Sequence, residues 1–270
     1  MLQEIIFFFL PFILFSILYI LSKKPTNNKN WRDDLKVFPE IKVKDNQIEI
    51  KNVRNFKYGK DEYDYIEGYK HYKFKLEDIE KLDYILEPFM FKERIAHPLL
   101  SFTLKNNKRI VLSVEVRKVK GEDYFLPKTF LRYYELFYVI ATEEDVIKLR
   151  THMRHDPVYL FPIQADKKFI ENLFLDMITR AKNLQKQPEF YHPIFNSCTT
   201  NLIDHANKFL DKNNKIPKIA KTIIPGYTKG LLFDFHYVFH GKSHFKDFNY
   251  YKINEKSLKC TKNFSDCIRE

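Results

Sequence analysis

The chain has 270 residues and a formal charge of +11. Its 44% hydrophobic content, with 17 Tyr, 26 Phe and only 6 Gly, argues for an ordered core, in one large domain or two small ones, and against a disordered or linker-rich chain. The charge suits anionic partners in general, but no zinc-finger, RNA-recognition or homeodomain pattern accompanies it, so nucleic acid is not an expected partner.

Ile5 to Ser22 is almost wholly apolar and just long enough to span a bilayer as a helix. No basic stretch precedes it and no small-residue cleavage site follows, so an uncleaved single anchor over 1–24 is expected in preference to a signal peptide. Pro11 would kink such a helix only modestly. Lys23 and Lys24 follow the apolar run, and by the positive-inside tendency they put the large domain in the cytoplasm. Residues 25–30 read as a short polar tether, and the ordered domain starts near Trp31.

From Glu40 to Asn52, apolar Ile41, Val43, Ile48 and Ile50 alternate with charged residues around Asp45-Asn46, which predicts a hairpin. Val53 to Tyr58 extends it. Lys60 to Gly68 reads as an acidic loop, His71 to Leu76 as a strand, Asp78 to Leu82 as a turn and Tyr84 to Leu86 as a short strand.

Two strands flank Lys105-Asn106-Asn107. A three-residue loop with Leu104 opposite Lys108 stacks Phe102 on Ile110, Leu100 on Leu112 and Pro98 on Val114, giving one apolar face. Asn107 suits the left-handed conformation such a loop needs. The other face carries Ser101, Thr103 and Ser113, with His97 opposite Glu115. Opposed Cβ atoms lie about 5 Å apart, so the carboxylate can orient the imidazole and favour its charged form. The same pattern also fits a plain cross-strand ion pair.

Phe125 to Phe130 reads as a loop. Leu136 to Ala141 is a strand, and Glu143 to Arg150 a helix capped by Thr142. Val158 to Ile163 is a strand. Asp166 to Leu184 is an amphipathic helix burying Phe169, Leu173, Phe174, Met177, Ile178 and Ala181. Ile216 to Pro225 reads as a loop, and Gly230 to Tyr237 as a helix end or a strand. Residues 251–270 form a basic tail. Helices and strands run in separate blocks, so the fold class is α+β.

Cys198 stands at a loop-to-helix junction. Pro193 blocks a helix from upstream, and Asn196, Ser197 and Thr199 are all N-cap residue types. Leu202, Ile203, Ala206, Phe209 and Leu210 give the apolar face that follows. A thiol in a first helical turn meets unpaired N–H groups and the positive dipole end, which lower its pKa from about 8.5 by one or more units. A small buried cysteine beneath a helix start is the bland alternative. Cys260 and Cys267 lie together in the tail, bridged in an oxidising compartment and free thiols in a reducing one.

Nucleophile, base and orienting acid together make a thiol catalyst: Cys198, His97 and Glu115. A helix N-terminal Cys packed on a His-bearing hairpin is the papain-like arrangement, here in the chain order His, acid, Cys. Asn196 is a candidate oxyanion donor. Arg54 and Arg117 are candidates to hold a substrate phosphate, or else they pair with acids. His236, His240 and His244 recur every four residues, but Gly241 interrupts them and no acid completes a metal set. His152 and His155 read as surface residues. No phosphate loop or dinucleotide fingerprint exists, and no metal or cofactor is expected.

Five motifs carry a family resemblance. They are Val53-Arg54-Asn55-Phe56-x-Tyr58; Ile95-Ala96-His97-x-x-Leu100-Ser101-Phe102; Ser113-Val114-Glu115-Val116-Arg117 with Lys120-Gly121-Glu122 after it; Asn196-x-Cys198-Thr199-Thr200; and Ile224-Pro225-Gly226-Tyr227. From about Trp31 to about Phe235 the chain resembles the bacterial Lnb family, named for its Lnb N-terminal periplasmic domain. The resemblance implies a circularly permuted papain-like domain of the lecithin:retinol acyltransferase kind, over 31–250. It implies transfer of a fatty acyl group from a phospholipid to the N-terminal amine of a lipoprotein, with Cys198 as nucleophile, His97 as base and Glu115 as its orienting acid. It also places the domain on the periplasmic side of the inner membrane, against the two lysines. The dipeptide His97-Pro98 departs from the family pattern. A thiol amidase or peptidase on cell-wall peptide is the rival enzyme, and a membrane-tethered binding module is the non-catalytic alternative.

Overall fold

The computed structural model describes residues 10, 14–90, 94–228, 230 and 248–270. Its strands are β1 (Glu40–Lys44), β2 (Gln47–Arg54), β3 (Lys57–Tyr58), β4 (Tyr65–Ile66), β5 (Tyr69–Lys75), β6 (Ile79–Met90), β7 (Ile95–Leu104), β8 (Arg109–Arg117), β9 (Glu135–Thr142) and β10 (Tyr159–Ile163). The helices are α1 (Asp33–Lys36), α2 (Glu143–Lys148), α3 (Lys167–Lys186), α4 (Cys198–Asn207), α5 (Ala220–Ile223), α6 (Asn254–Lys259) and α7 (Phe264–Cys267). The fold is mixed α+β and dominated by sheet.

Eight strands form one sheet in the order β1-β2-β9-β8-β7-β6-β10, with β5 also paired to β2. Both faces are covered. On one, Leu100, Phe102, Leu112 and Tyr138 pack against Phe174, Met177 and Leu202 of α3 and α4. On the other, Ile85, Leu99, Val111 and Val139 meet Val146 and Ile147 of α2 and Ile253, Phe264 and Ile268 of the C-terminal segment. A sheet covered on both sides explains why its central strands carry apolar residues at successive positions.

The β7–β8 hairpin has the register expected from its apolar face: Phe102 pairs Ile110, Leu100 pairs Leu112, and Leu104 N–H donates to Lys108 O at 2.8 Å. Asn107 takes φ 59°, and Asp45 in the β1–β2 turn takes φ 52°. Thr142 caps α2, Asp166 caps α3 and Ser197 caps α4, each through its side-chain oxygen.

Several expectations change. Val53 to Tyr58 does not extend the hairpin as one strand: β2 ends at Arg54, and β3 pairs with β4, inside the expected acidic loop, as a separate two-stranded sheet. Asp78 ends a short 3-10 turn, and Ile79 to Leu86 is not a turn and a short strand but most of the long strand β6. Its alternation is hidden because the buried acids Asp83 and Glu87 sit where apolar residues were looked for, held by Arg269 and Arg150. Residues 25–30 are fastened down: Asn27 Nδ2 donates to Leu184 O and Gln185 O, and Thr26 N–H to Glu135. The 251–270 tail is part of the second core, and Cys260–Cys267 form a disulfide within it. Within 216–225, α5 supplies one helical turn.

Residues 14–22 are helical and present Leu14, Phe15 and Leu18 outward. Among the described residues no helix is long and apolar enough to cross a membrane. Residues 1–9 and 11–13 of the expected anchor lie outside the described residues, as do 231–237 and His236, His240 and His244.

Candidate active site

Cys198 is the first residue of α4, is buried, and is a free thiol. Ser197 Oγ accepts from Thr200 N–H at 3.2 Å, and Ser197 N–H donates to Thr200 Oγ1 at 2.7 Å. This reciprocal cap has threonine in the place usually held by Glu or Gln. The helix is held from behind by a buried polar network. His205 meets the Tyr138 hydroxyl at 2.7 Å and Asp176 at 2.6 Å, while Asn201 Oδ1 accepts from Tyr138 and from Arg180. The direction in which Cys198 points is thereby set by contacts along the whole helix.

His97 comes from β7 and Glu115 from β8. The β7–β8 ladder stops at Leu99–Ser113, and Pro98 has no N–H to carry it further. Beyond that rung, His97 Nε2 lies 3.1 Å from Glu115 Oε1. Ser113 stands beside them, its Oγ 2.7 Å from His97 Nε2 and donating to Glu115 Oε1 at 2.6 Å. These contacts occupy Nε2 and leave Nδ1 as the ring nitrogen for the sulfur. On the other neighbour, Glu87 of β6 is the register partner of His97. Arg150 ties both acids together, 2.6 Å from Glu87 and 3.5 Å from Glu115.

The electrostatics follow from this packing. Burial alone would push the His97 imidazole down, but the Glu115 carboxylate and the Cys198 sulfur overrule it and raise it to about 10. Burial alone would push the Cys198 thiol up, but the His97 contact, with help from the Tyr191 and Thr199 hydroxyls, brings it below its ordinary value. Glu115 is held well below the usual carboxylate range by His97 and Arg150 despite burial. Both shifts favour the thiolate–imidazolium form of the pair over the neutral one.

Tyr191 was not singled out from sequence. Its hydroxyl lies 3.7 Å from Cys198 Sγ and also meets the Cys198 backbone N–H. The N–H donates toward that hydroxyl oxygen, so the hydroxyl and the first-turn N–H lie together beside the sulfur. Ser113, Glu87 and Arg150 also escaped notice as part of the site. Ser113 was within reach, since the hairpin register already put it on the face of His97 and Glu115. Tyr191, Glu87 and Arg150 gave no comparable signal, because their roles come from other strands and loops.

Of the other three candidates, Arg54 lines the cleft into which Cys198 opens, and Asn196 and Arg117 do not. Asn196 Nδ2 donates to Glu189 and to Phe190 O, and its Oδ1 accepts from Asn201, so its amide serves the network behind α4. Arg54 is buried and gives two hydrogen bonds to Asp145, at 2.8 and 3.1 Å. Arg117 is buried among Trp31, Phe38 and Phe137, each ring centre 4.3 to 4.4 Å from its guanidinium, and donates to Leu35 O and Lys36 O. Both arginines hold the fold, Arg54 by pairing with an acid and Arg117 by stacking on aromatics.

The Cys198–His97 pair opens into a cleft of about 490 Å³. Its lining mixes charged side chains, among them Arg32, Lys118, Arg154 and Glu62, with apolar ones, among them Phe89, Met90, Ile95, Leu126, Ile194 and Ile224. A second cavity of about 120 Å³ lies against the same helix, lined by Thr199, Leu202 and Ile203 of α4 with Leu100, Ile163, Phe169 and Leu173. Among the described residues no His, Cys, Asp and Glu cluster is arranged to hold a metal ion.

Searches of curated proteins and of solved structures give no match. The family described as the Lnb N-terminal periplasmic domain matches residues 65–225, a shorter stretch than the one from Trp31 to Phe235 over which the motifs resemble it. The matched residues include His97, Glu115, Tyr191 and Cys198 and exclude Arg54. On a match covering more than half its length, the chain belongs to the Lnb N-terminal periplasmic domain family.

Proposed function

We propose that this chain is a membrane-anchored cysteine acyltransferase that moves a fatty acyl group from a phospholipid to the N-terminal amine of lipoproteins. The observation that carries the reading is the meeting of Cys198 with His97, itself held by Glu115, beside an apolar wall. The Cys198 thiolate attacks the ester carbonyl carbon, and the Cys198 N–H and Tyr191 hydroxyl hold the resulting oxyanion. The acyl C–O bond then breaks. The His97 imidazolium protonates the departing glycerol oxygen, so lysophospholipid leaves and a thioester remains with neutral His97. The amine of the acceptor attacks the thioester, His97 takes its proton, and an amide and the thiolate–imidazolium pair result.

The apolar residues lining the cleft and the apolar cavity against α4 suit an acyl chain, and a dry pocket favours an amine over water. A helix-borne Cys against a His-bearing hairpin, in reversed chain order, supports a circularly permuted papain-like ancestry. The apolar run Ile5 to Ser22 supports a single-pass anchor in the inner membrane. The disulfide and the family support a periplasmic domain, on the opposite side from that favoured by Lys23 and Lys24.

Intact mass of the protein after exposure to phospholipid vesicles tests this. A fatty acyl adduct lost in Cys198→Ala is the expected result. A peptide adduct from cell-wall fragments would make the protein a thiol amidase. Full lipoprotein acylation by Cys198→Ala would remove the thiol mechanism altogether.

A further inference from the structure

We infer that the surface adjoining the Cys198 cleft at Ile194 is a bilayer-docking surface, formed by Phe130, Leu131, Ile194 and Phe195 with Lys23 and Arg132. The inference rests on reading Ile5 to Ser22 as a membrane segment. Phe195 is 75% exposed, Phe130 48%, and Ile194 and Leu131 43% each. They form one patch: Phe130 meets the His192 ring edge-on at 5.6 Å, and His192 stacks on Phe195 at 4.8 Å. Such a cluster of exposed apolar side chains marks an interaction surface.

Its position identifies the partner. The helix of residues 14–22 ends against this patch, with Arg132 Nη1 donating to Leu21 O at 2.8 Å and Lys23 Nζ to Leu131 O at 3.5 Å. A segment that leaves the bilayer at Ser22 must hold whatever is bonded to its end at headgroup depth. Aromatic side chains with flanking Lys and Arg are the composition that this depth favours. Lys23 and Arg132 add positive charge toward anionic headgroups. Ile194 belongs both to the patch and to the cleft wall, so lipid meeting the patch is next to the entrance leading to Cys198. A lipid surface therefore fits better than a protein partner.

Tryptophan quenching in vesicles of brominated phosphatidylcholine tests the surface on the full chain carrying Cys198→Ala, so that no turnover is needed. With the signal of the native Trp31 subtracted, Phe195→Trp should be quenched at least threefold more than Leu258→Trp, which sits at an exposed site on α6. Equal quenching at the two positions would overturn the proposal even if acyl transfer stands. In the otherwise native chain, Phe130→Ser with Phe195→Ser should cut acylation from vesicles at least tenfold and leave acylation by a short water-soluble ester unchanged. An equal fall with both donors would mean that the patch serves folding, and would also overturn it.

Discussion

His97 and Glu115 meet at 3.1 Å two residues past the last rung of the β7–β8 ladder. Each strand is still held by its outer neighbour, His97 opposite Glu87 and Glu115 opposite Phe137, so the register brings the two side chains to each other and to Ser113 at the open end of the hairpin. The end of the hairpin thereby favours a protonated imidazole and a deprotonated sulfur.

That ionisation has a direct readout. Cys198 should alkylate with iodoacetamide with a midpoint below that of an ordinary thiol, because His97 favours the thiolate. Activity should fall again as pH rises through about 10, where His97 loses its proton. The two midpoints belong to the pair. Glu115→Gln removes the charge that raises His97, so the upper limb should move to lower pH and the rate should fall on the order of 10²-fold. An unmoved upper limb in that variant would contradict the assignment.

Tyr191→Phe tests the second oxyanion donor. The rate of acyl-enzyme formation should drop about 10²-fold with KM little changed, since the hydroxyl is needed most when the carbonyl oxygen becomes charged. Alkylation of Cys198 should shift slightly to higher pH, because the same hydroxyl stabilises the thiolate. A change in KM alone would move Tyr191 from the reaction to substrate binding.

Asp145 carries Arg54, and it also accepts from Phe56 N–H and the Tyr58 hydroxyl. Asp145→Ala leaves the buried guanidinium without its partner, so urea unfolding should show a loss of about 3–5 kcal/mol. Arg54→Lys should lower Tm and leave KM for phospholipid unchanged at temperatures where the protein is folded. A raised KM with an intact Tm would restore Arg54 as a phosphate ligand.

The Cys260–Cys267 bridge closes a short loop, with a sequence separation of 7. Cys260→Ser with Cys267→Ser should cost about 2–3 kcal/mol of stability. The neighbouring Arg269 pairs with Glu143 and Asp83, so the loss should reach the sheet through those contacts. Cys198 should still alkylate with its lowered midpoint in the folded fraction, since neither tail cysteine touches it.

Local pattern was enough for much of this protein. Alternating residues and a single permissible loop length determined the β7–β8 register, and with it the meeting of His97 and Glu115. Pro193, the polar residues before Cys198 and the apolar spacing after it determined a helix beginning near the thiol, while the structure decided that Ser197, and not Asn196 or Thr199, caps it. These are decided between near neighbours, or by a two-fold periodicity that one hairpin must obey. Tertiary structure alone decided which charged groups face the sulfur and which vanish into the fold. Arg54 and Arg117 look like ligands in the sequence because their partners, Asp145 and the rings of Trp31, Phe38 and Phe137, are brought in from distant segments. Strand β6 escaped notice for the same reason, as burying Asp83 and Glu87 makes sense only once Arg269 and Arg150 are beside them. A buried charge is tolerable only with its counter-charge, and no local pattern records where that counter-charge comes from.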